Sequence, residues 1–368
     1  MGWQLTRPID VNAANHTTTT PPPQTTTAPT APPPTLTYLA YYYPWYIEGD
    51  WSLHTTNDVP LLGHYGTDSP QVAEQHIKWA RRGQISTWVI SWWGEDSLSK
   101  QHFDKGMLQA SNIDQMKFCM LFESMMLKET SFHNGTSQAK MLYELQLIKD
   151  NYFDHPSYFR INGRPVVVLY ITRLKTLYDD SFDQTVLIDL RELLDEDIFF
   201  IADEPFFFDG DDNPATDRNG LLPDNTTVFD AYTTYNMFEN DRVHSGETAS
   251  DYMLREALPI FEAWSRRTTF FPNAVPMYHD FRDKEPLLGN GTDFLRQLKA
   301  LACLPRPRDG IRKDGIPDLV FITSFNEWWE GTQIEPDSQG RYAFEFLDTL
   351  ASFHADVEAH GYHWCSNR

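Results

Sequence analysis

Two glutamates, Glu327 and Glu330, stand three positions apart in the run Phe325-Asn326-Glu327-Trp328-Trp329-Glu330-Gly331. Paired carboxylates carry acid–base chemistry. Glycosidic cleavage needs one to protonate the leaving oxygen and the other to manage the oxocarbenium charge that develops. If the chain turns helically there, both side chains lie on one face. The intervening Trp328 and Trp329 would exclude water, and desolvation raises a carboxyl pKa, keeping one acid protonated near neutral pH. Mutual repulsion spreads the two pKa values further. A solvated first helical turn, where the helix dipole favours glutamate, has the same spacing. Spacing alone leaves both readings open.

The elements that must position such a pair can be counted. From Leu36 onward, short apolar runs alternate with amphipathic helical stretches, the pattern of a parallel βα protein. The runs are Tyr38–Tyr43, Ser86–Trp92, Lys117–Phe122, Pro165–Tyr170, Ile198–Ala202, Val228–Tyr232, Ala274–Tyr278 and Leu319–Phe325. Eight buried strands with helices between them predict an α/β fold, a single (β/α)8 TIM barrel. An open doubly wound sheet is the alternative, but no Gly-rich phosphate loop follows any run. Ser69 reads as the N-cap of the helix after the first long loop, with Pro70 at its first position. Val72, Ala73, Ile77 and Ala80 form its apolar face, and Gly83 is expected to close it in the left-handed conformation.

Barrel chemistry lies at the C-terminal strand ends. There the sequence places Tyr41-Tyr42-Tyr43-Pro44-Trp45-Tyr46, Trp92-Trp93, Glu123, Tyr170, Asp203-Glu204, Tyr232, Tyr278 and the Glu327/Glu330 run. An aromatic and acidic rim fits glycoside hydrolysis better than phosphate or nucleotide chemistry. Aromatics are 14% of the chain, which serves either sugar stacking or a large aromatic core. The net charge of −22 repels phosphate backbones, so neither nucleic acid nor an anionic membrane is an expected partner. No run of about 18 apolar residues predicts a membrane span.

Three cysteines, Cys119, Cys303 and Cys365, allow at most one internal disulfide, and no Cys/His spacing suggests a metal site. Asn-x-Thr occurs at Asn15, Asn134, Asn225 and Asn290, which tilts toward secretion. Residues 17–35 are nearly all Thr and Pro and cannot bury enough apolar surface to fold, so residues 1–35 read as a disordered, mucin-like stem and 36–368 as the catalytic domain. Met1 to His16 lacks the apolar core of a signal peptide. The expectation is that a leader or anchor preceded it or that the true start lies upstream; a cytosolic or engineered start is the alternative. The secretory-pathway lumen (Golgi) or the extracellular space is the expected location.

The run Thr323-Ser324-Phe325-Asn326-Glu327-Trp328-Trp329-Glu330-Gly331-Thr332-Gln333-Ile334-Glu335-Pro336 resembles the catalytic motif of glycoside hydrolase family 99, the endo-α-1,2-mannosidases and endo-α-1,2-mannanases. Tyr42-Tyr43-Pro44-Trp45-Tyr46 is similar to that family's first strand. Gly63-His64-Tyr65, with Gln75, Ala80, Gly83, Ile85 and Ser91-Trp92-Trp93-Gly94, is similar to its second unit. Phe271-Pro272 to Tyr278-His279-Asp280 is similar to its seventh. One position departs: a His usually stands where this chain has Trp329. The resemblance implies endo-acting cleavage of α-1,2-mannosidic bonds in N-glycans or mannans, with retained configuration; no metal cluster is visible in the sequence, so no cofactor is expected. By that resemblance Glu327 deprotonates the sugar's own 2-hydroxyl, which attacks the anomeric carbon to give a 1,2-anhydro sugar, and Glu330 is the general acid/base.

The remaining candidates are substrate contacts. Glu123 could bond a sugar hydroxyl or pair with a neighbouring arginine. Trp93 could stack on a sugar or pack in the core; the resemblance implies Trp here in mannan-cutting members and Tyr in the eukaryotic enzymes that process glucosylated N-glycans. Tyr43, Tyr232 and Tyr278 pose the same choice, His64 is a ligand or a satisfied loop residue, and Asn326 and Trp328 complete the set. Two other functions fit the residues: a different barrel glycosidase or polysaccharide-processing enzyme, and a catalytically silent glycan-binding protein.

Overall fold

The computed structural model describes residues 36–51, 58–128, 137–170, 186–203, 229–235, 237–238, 243–266, 268–280, 285–305 and 318–367. The proposed stem and the sequons at Asn15, Asn134 and Asn225 lie outside the described residues, as does Glu204. Eight parallel strands follow one another: β1 (Leu36–Tyr42), β2 (Ile85–Trp92), β3 (Lys117–Phe122), β4 (Arg164–Tyr170), β5 (Phe199–Asp203), β6 (Ala231–Thr233), β7 (Asn273–Ala274) and β8 (Asp318–Ile322). They bond in the order β6-β5-β4-β3-β2-β1-β8-β7. The two ends of that order meet just ahead of β7. There the Tyr232 N–H donates to Thr269 O at 2.9 Å and the Phe271 N–H to Tyr232 O at 2.8 Å. The sheet therefore closes into the (β/α)8 barrel that the alternation of runs predicts.

Among the described residues the α-helices are α1 (Pro70–Arg82), α2 (Leu98–Lys105), α3 (Ser137–Ile148), α4 (Val186–Leu194), α5 (Ala249–Tyr252), α6 (Leu258–Ser265), α7 (Gly291–Ala302) and α8 (Glu345–His360). In α1 the Ser69 side chain accepts from the Val72 N–H, and Pro70 occupies the first turn. Its buried face is Ala73, His76, Ile77, Trp79 and Ala80, so Val72 sits at the edge of that face while His76 and Trp79 join it. Gly83 does not take the left-handed conformation: its φ is −83°, and Gln84 has the positive φ instead. The glycine serves close packing, since a Cβ there would meet Leu347 Cδ2 of α8 at 2.9 Å.

Strand ends differ from the apolar runs where the ladder loses donors. β7 stops at Ala274, two residues before Pro276, which has no N–H to give. β8 stops at Ile322, and the Phe325 N–H then bonds Tyr41 O at 2.8 Å, carrying the chain across the end of β1. The aromatic surplus is mostly core: Trp88, Trp92, Trp264, Trp328, Tyr38, Tyr41 and Tyr42 are all buried. Cys303 and Cys365 form a disulfide and Cys119 is a buried free thiol.

Candidate active site

The Glu327/Glu330 segment is a single wide turn rather than a helix. The Trp328 N–H donates back to Asn326 O (3.1 Å) and the Thr332 N–H to Glu327 O (3.2 Å). Gly331 ends it with φ +61°, where a Cβ would also lie 2.8 Å from both His279 N and His279 O. Only glycine combines that conformation with that approach. The His279 N–H donates to Glu330 O (2.8 Å), so the segment after β7 pins the far side of the turn. On the near side, Ser324 Oγ accepts from the Glu327 N–H at 2.8 Å. The Asn326 carboxamide pairs with the backbone of Tyr43, accepting from its N–H at 2.8 Å and donating to its O at 3.0 Å. Asn326 thus extends β1 by one side-chain rung. Tyr46 OH donates to Asn326 O (2.8 Å) and accepts from the Trp328 N–H (3.1 Å).

Glu327 is buried at 2% exposure, which excludes the solvated-turn reading for it. Burial, then the charge of Glu330, pushes its carboxyl well above the ordinary range. The backbone N–H groups of Trp329 and Glu330 oppose this, and Glu123 adds to it. Glu330 is half-buried, and its Oε2 accepts from Tyr235 OH at 2.6 Å. Asp203, at the end of β5, accepts from the Tyr235 N–H (2.8 Å) and from Tyr41 OH (3.0 Å), which holds Tyr235 in place.

Glu123 closes β3 and is buried. Its Oε1 accepts from Ser91 Oγ (2.7 Å), which in turn accepts from Trp93 Nε1 (2.9 Å). Burial pushes Glu123 up to about 8; the Ser91 bond opposes this, and the charges of Asp203 and Glu330 reinforce it. Among the described residues no arginine pairs with it, and the raised value favours the protonated carboxyl at neutral pH. The Tyr43 phenol lies within reach of all three glutamates: burial raises it most, followed by the charges of Glu327, Glu123 and Glu330.

The other expected contacts separate into rim and wall. Trp93 is 39% exposed at the end of β2, a free indole face beside Glu123. Trp329 stacks on Trp45 with centroids 5.0 Å apart and planes 11° apart, both half-buried. Trp328 turns inward, its Nε1 donating to Glu335 Oε2 at 2.8 Å, so it braces the turn from beneath. His64 is exposed and stacks on Trp51, which stacks on Tyr46. Tyr232 is buried in the barrel wall against Phe229. Tyr278 is buried, bonded to Asp280 and packed on Phe238. Among the described residues no group of three or more His, Cys, Asp or Glu is placed to hold a metal ion. Tyr235 escaped the sequence reading. The signal was its place three residues past Tyr232, beyond the true end of β6 at Thr233.

A family model described as Glycosyl hydrolase family 99 matches residues 39–181, which hold Tyr43, His64, Trp93 and Glu123. Glycoprotein endo-alpha-1,2-mannosidases of Rattus norvegicus and Mus musculus are 25% and 23% identical over 295 residues, 75% of this chain and 56% of each relative. The chain thus spans about half the length of the curated relatives it matches. The GH99 endo-alpha-mannosidase structure from Bacteroides thetaiotaomicron superposes with a TM-score of 0.64 at 21% identity, covering 88% of this chain and 97% of that one. A glycoside hydrolase-like protein gives 0.61 at 15% identity, covering 88% and 94%. The family model thus finds again the resemblance to family 99 in the part of the chain that holds the first- and second-unit motifs, and the solved structures share the (β/α)8 fold.

Proposed function

We propose that this chain is an endo-acting, retaining α-1,2-mannosidase that works through a 1,2-anhydro sugar on mannose-containing oligosaccharides or glycoprotein glycans. The observation that carries the reading is the glutamate pair on one pinned turn at the barrel rim, with Glu327 buried and raised and Glu330 reached by Tyr235. The likeness to family 99 supports the substrate class.

In the first step Glu327 takes the proton of the 2-hydroxyl, O2 bonds to the anomeric carbon, and the bond to the leaving oxygen breaks as Glu330 protonates it. A raised pKa makes Glu327 a stronger base once it is ionised. In mannose the axial 2-hydroxyl lies opposite an α leaving group, as back-side attack requires. In the second step Glu330 takes a proton from water, the water oxygen bonds to the anomeric carbon, and O2 leaves with the proton from Glu327. Two inversions give retention. Trp93 is the stacking face on the non-reducing side, and Glu123, keeping its proton, donates to a sugar hydroxyl. The disulfide and the sequons support an oxidising, secretory or extracellular setting.

The test is a time course on a defined α-1,2-linked oligomannoside followed by NMR. A disaccharide or oligosaccharide released first as the α-anomer is expected. Free mannose alone, a β-anomer first, or no cleavage overturns the proposal. With a 2-deoxy-2-fluoro substrate bearing a good leaving group, intact-protein mass spectrometry should find no sugar ester, whereas an adduct on Glu327 would make it an ordinary nucleophile.

A further inference from the structure

Glu335 lies five residues beyond Glu330 and is completely buried. Three separate segments converge on it. Tyr65 OH reaches Oε2 at 2.6 Å, Trp328 Nε1 reaches Oε2 at 2.8 Å, and His76 Nε2 of α1 reaches Oε1 at 3.1 Å. Its own N–H is bonded to Phe325 O at 2.8 Å. Indole N–H only donates, so Oε2 accepts from Trp328, and three polar side chains from separate segments share this one buried acid.

His76 extends the network, its Nδ1 3.0 Å from Tyr42 OH. Burial, followed by the charge of Glu335, pushes the Tyr42 phenol well above its ordinary value, so Tyr42 keeps its proton and its hydroxyl is free to donate to the ring nitrogen or to accept from it. The imidazole joins the two, and the arrangement inferred is the one in which Nε2–H donates to Glu335 and Nδ1 accepts from Tyr42. Tyr42 is the last residue of β1, and the next residue, Tyr43, holds the Asn326 carboxamide. Two routes therefore run from Glu335 to the catalytic turn, one directly through Trp328 and one through His76 and the end of β1.

We propose that Glu335 is the positioning carboxylate of the glutamate pair: through Trp328 and through His76–Tyr42 it fixes the turn that carries Glu327 and Glu330, with His76 held as the Nε2–H tautomer. The proposal rests on reading that pair as catalytic. Glu335 touches no reacting atom. Its effect is on the aim of the two acids.

Glu335→Gln tests it. The glutamine oxygen still accepts from Tyr65 and Trp328, but its N–H group now faces the His76 Nε2–H. His76 must move its proton to Nδ1, and the Tyr42 hydroxyl must turn to accept it, so every bond of the second route changes direction. With the acids misaimed, kcat should fall about 10- to 100-fold. KM should stay within about twofold, because Trp93 and Glu123 are untouched. In protein labelled with 15N-histidine, long-range proton–nitrogen spectra should show His76 as Nε2–H in the wild type and Nδ1–H in the variant. Wild-type kcat in folded Glu335→Gln, a rise in KM with kcat unchanged, or an Nδ1–H tautomer in the wild type would each overturn the proposal. Should Glu335→Gln not fold, Trp328→Phe removes one donor and keeps a ring in place; the same loss of kcat is expected, and wild-type kcat there counts against the proposal equally. A wild-type protein that cleaves no α-mannoside would sink the catalytic reading instead, and the histidine spectra would then decide this one.

Discussion

Glu123→Gln replaces a buried, titrating carboxyl with a neutral group of the same shape. Glu123 is pushed up to about 8 from an ordinary 4.5. A raised folded-state pKa means that Glu123 gives its full stability below the unfolded value, and that this is lost as pH rises through the folded one. At about 1.36 kcal/mol per pH unit, the interval corresponds to about 5 kcal/mol above roughly pH 8 and about 3 kcal/mol near pH 7. The Ser91 hydroxyl can donate to the glutamine oxygen as it does to Oε1, so that bond survives the change. The variant should match the wild type near pH 4, where both side chains are neutral, and should be more stable by an increment that grows with pH and levels off above about pH 8. Urea unfolding across that pH range, with unchanged slopes, reads the difference directly. Parallel stability profiles for the two proteins would show that Glu123 ionises at an ordinary pH in the fold, and the electrostatic account of the site would fail with it.

Glu330→Gln should lower cleavage about 10²-fold or more while the fold persists, and an activated aryl leaving group should partly restore it because less protonation is needed. Near-wild-type turnover of a poor leaving group in steady-state assays would remove Glu330 from the acid role. Tyr235→Phe deletes the 2.6 Å bond to Glu330. A hydrogen bond to a charged group contributes about 1.5–3 kcal/mol, so kcat/KM should drop about 10- to 100-fold, and an unchanged value would make the tyrosine a packing residue. Gly331→Ala introduces a Cβ against His279 at a positive φ. It should cost about 1–3 kcal/mol in thermal unfolding and more in activity than in stability.

Much of the barrel was legible because each strand writes its own local signature. The eight apolar runs overlap β1 to β8, and the capping pair Ser69-Pro70 opens α1 as its chemistry demands. The glutamate pair was legible for the same reason, since three residues of spacing is local information. What local patterning could not carry was the company these residues keep. Glu335 meets Tyr65 and His76 across separations of 270 and 259 residues, and Tyr235 reaches Glu330 across 95. The expected helical turn failed on one residue. Gly331 takes a positive φ against the backbone of His279, which no pattern of polarity reports. Gly83 misled in the opposite direction, its role being contact with Leu347 rather than a left-handed cap.

The bond between Cys303 and Cys365 closes a covalent ring spanning 62 residues, and everything the chemistry needs from β8 lies inside it: the strand, both glutamates of the turn, Glu335 and all of α8. The ring is tied at the end of α7, on the barrel face opposite the rim. In the chain-entropy view a closure of that length removes about 4 kcal/mol of disorder from the unfolded chain. The last βα unit is therefore tethered at both ends to the unit before it. Should β8 peel away from β1, the two acids would still be leashed to the wall they left, and the site could reassemble without a search through the open chain.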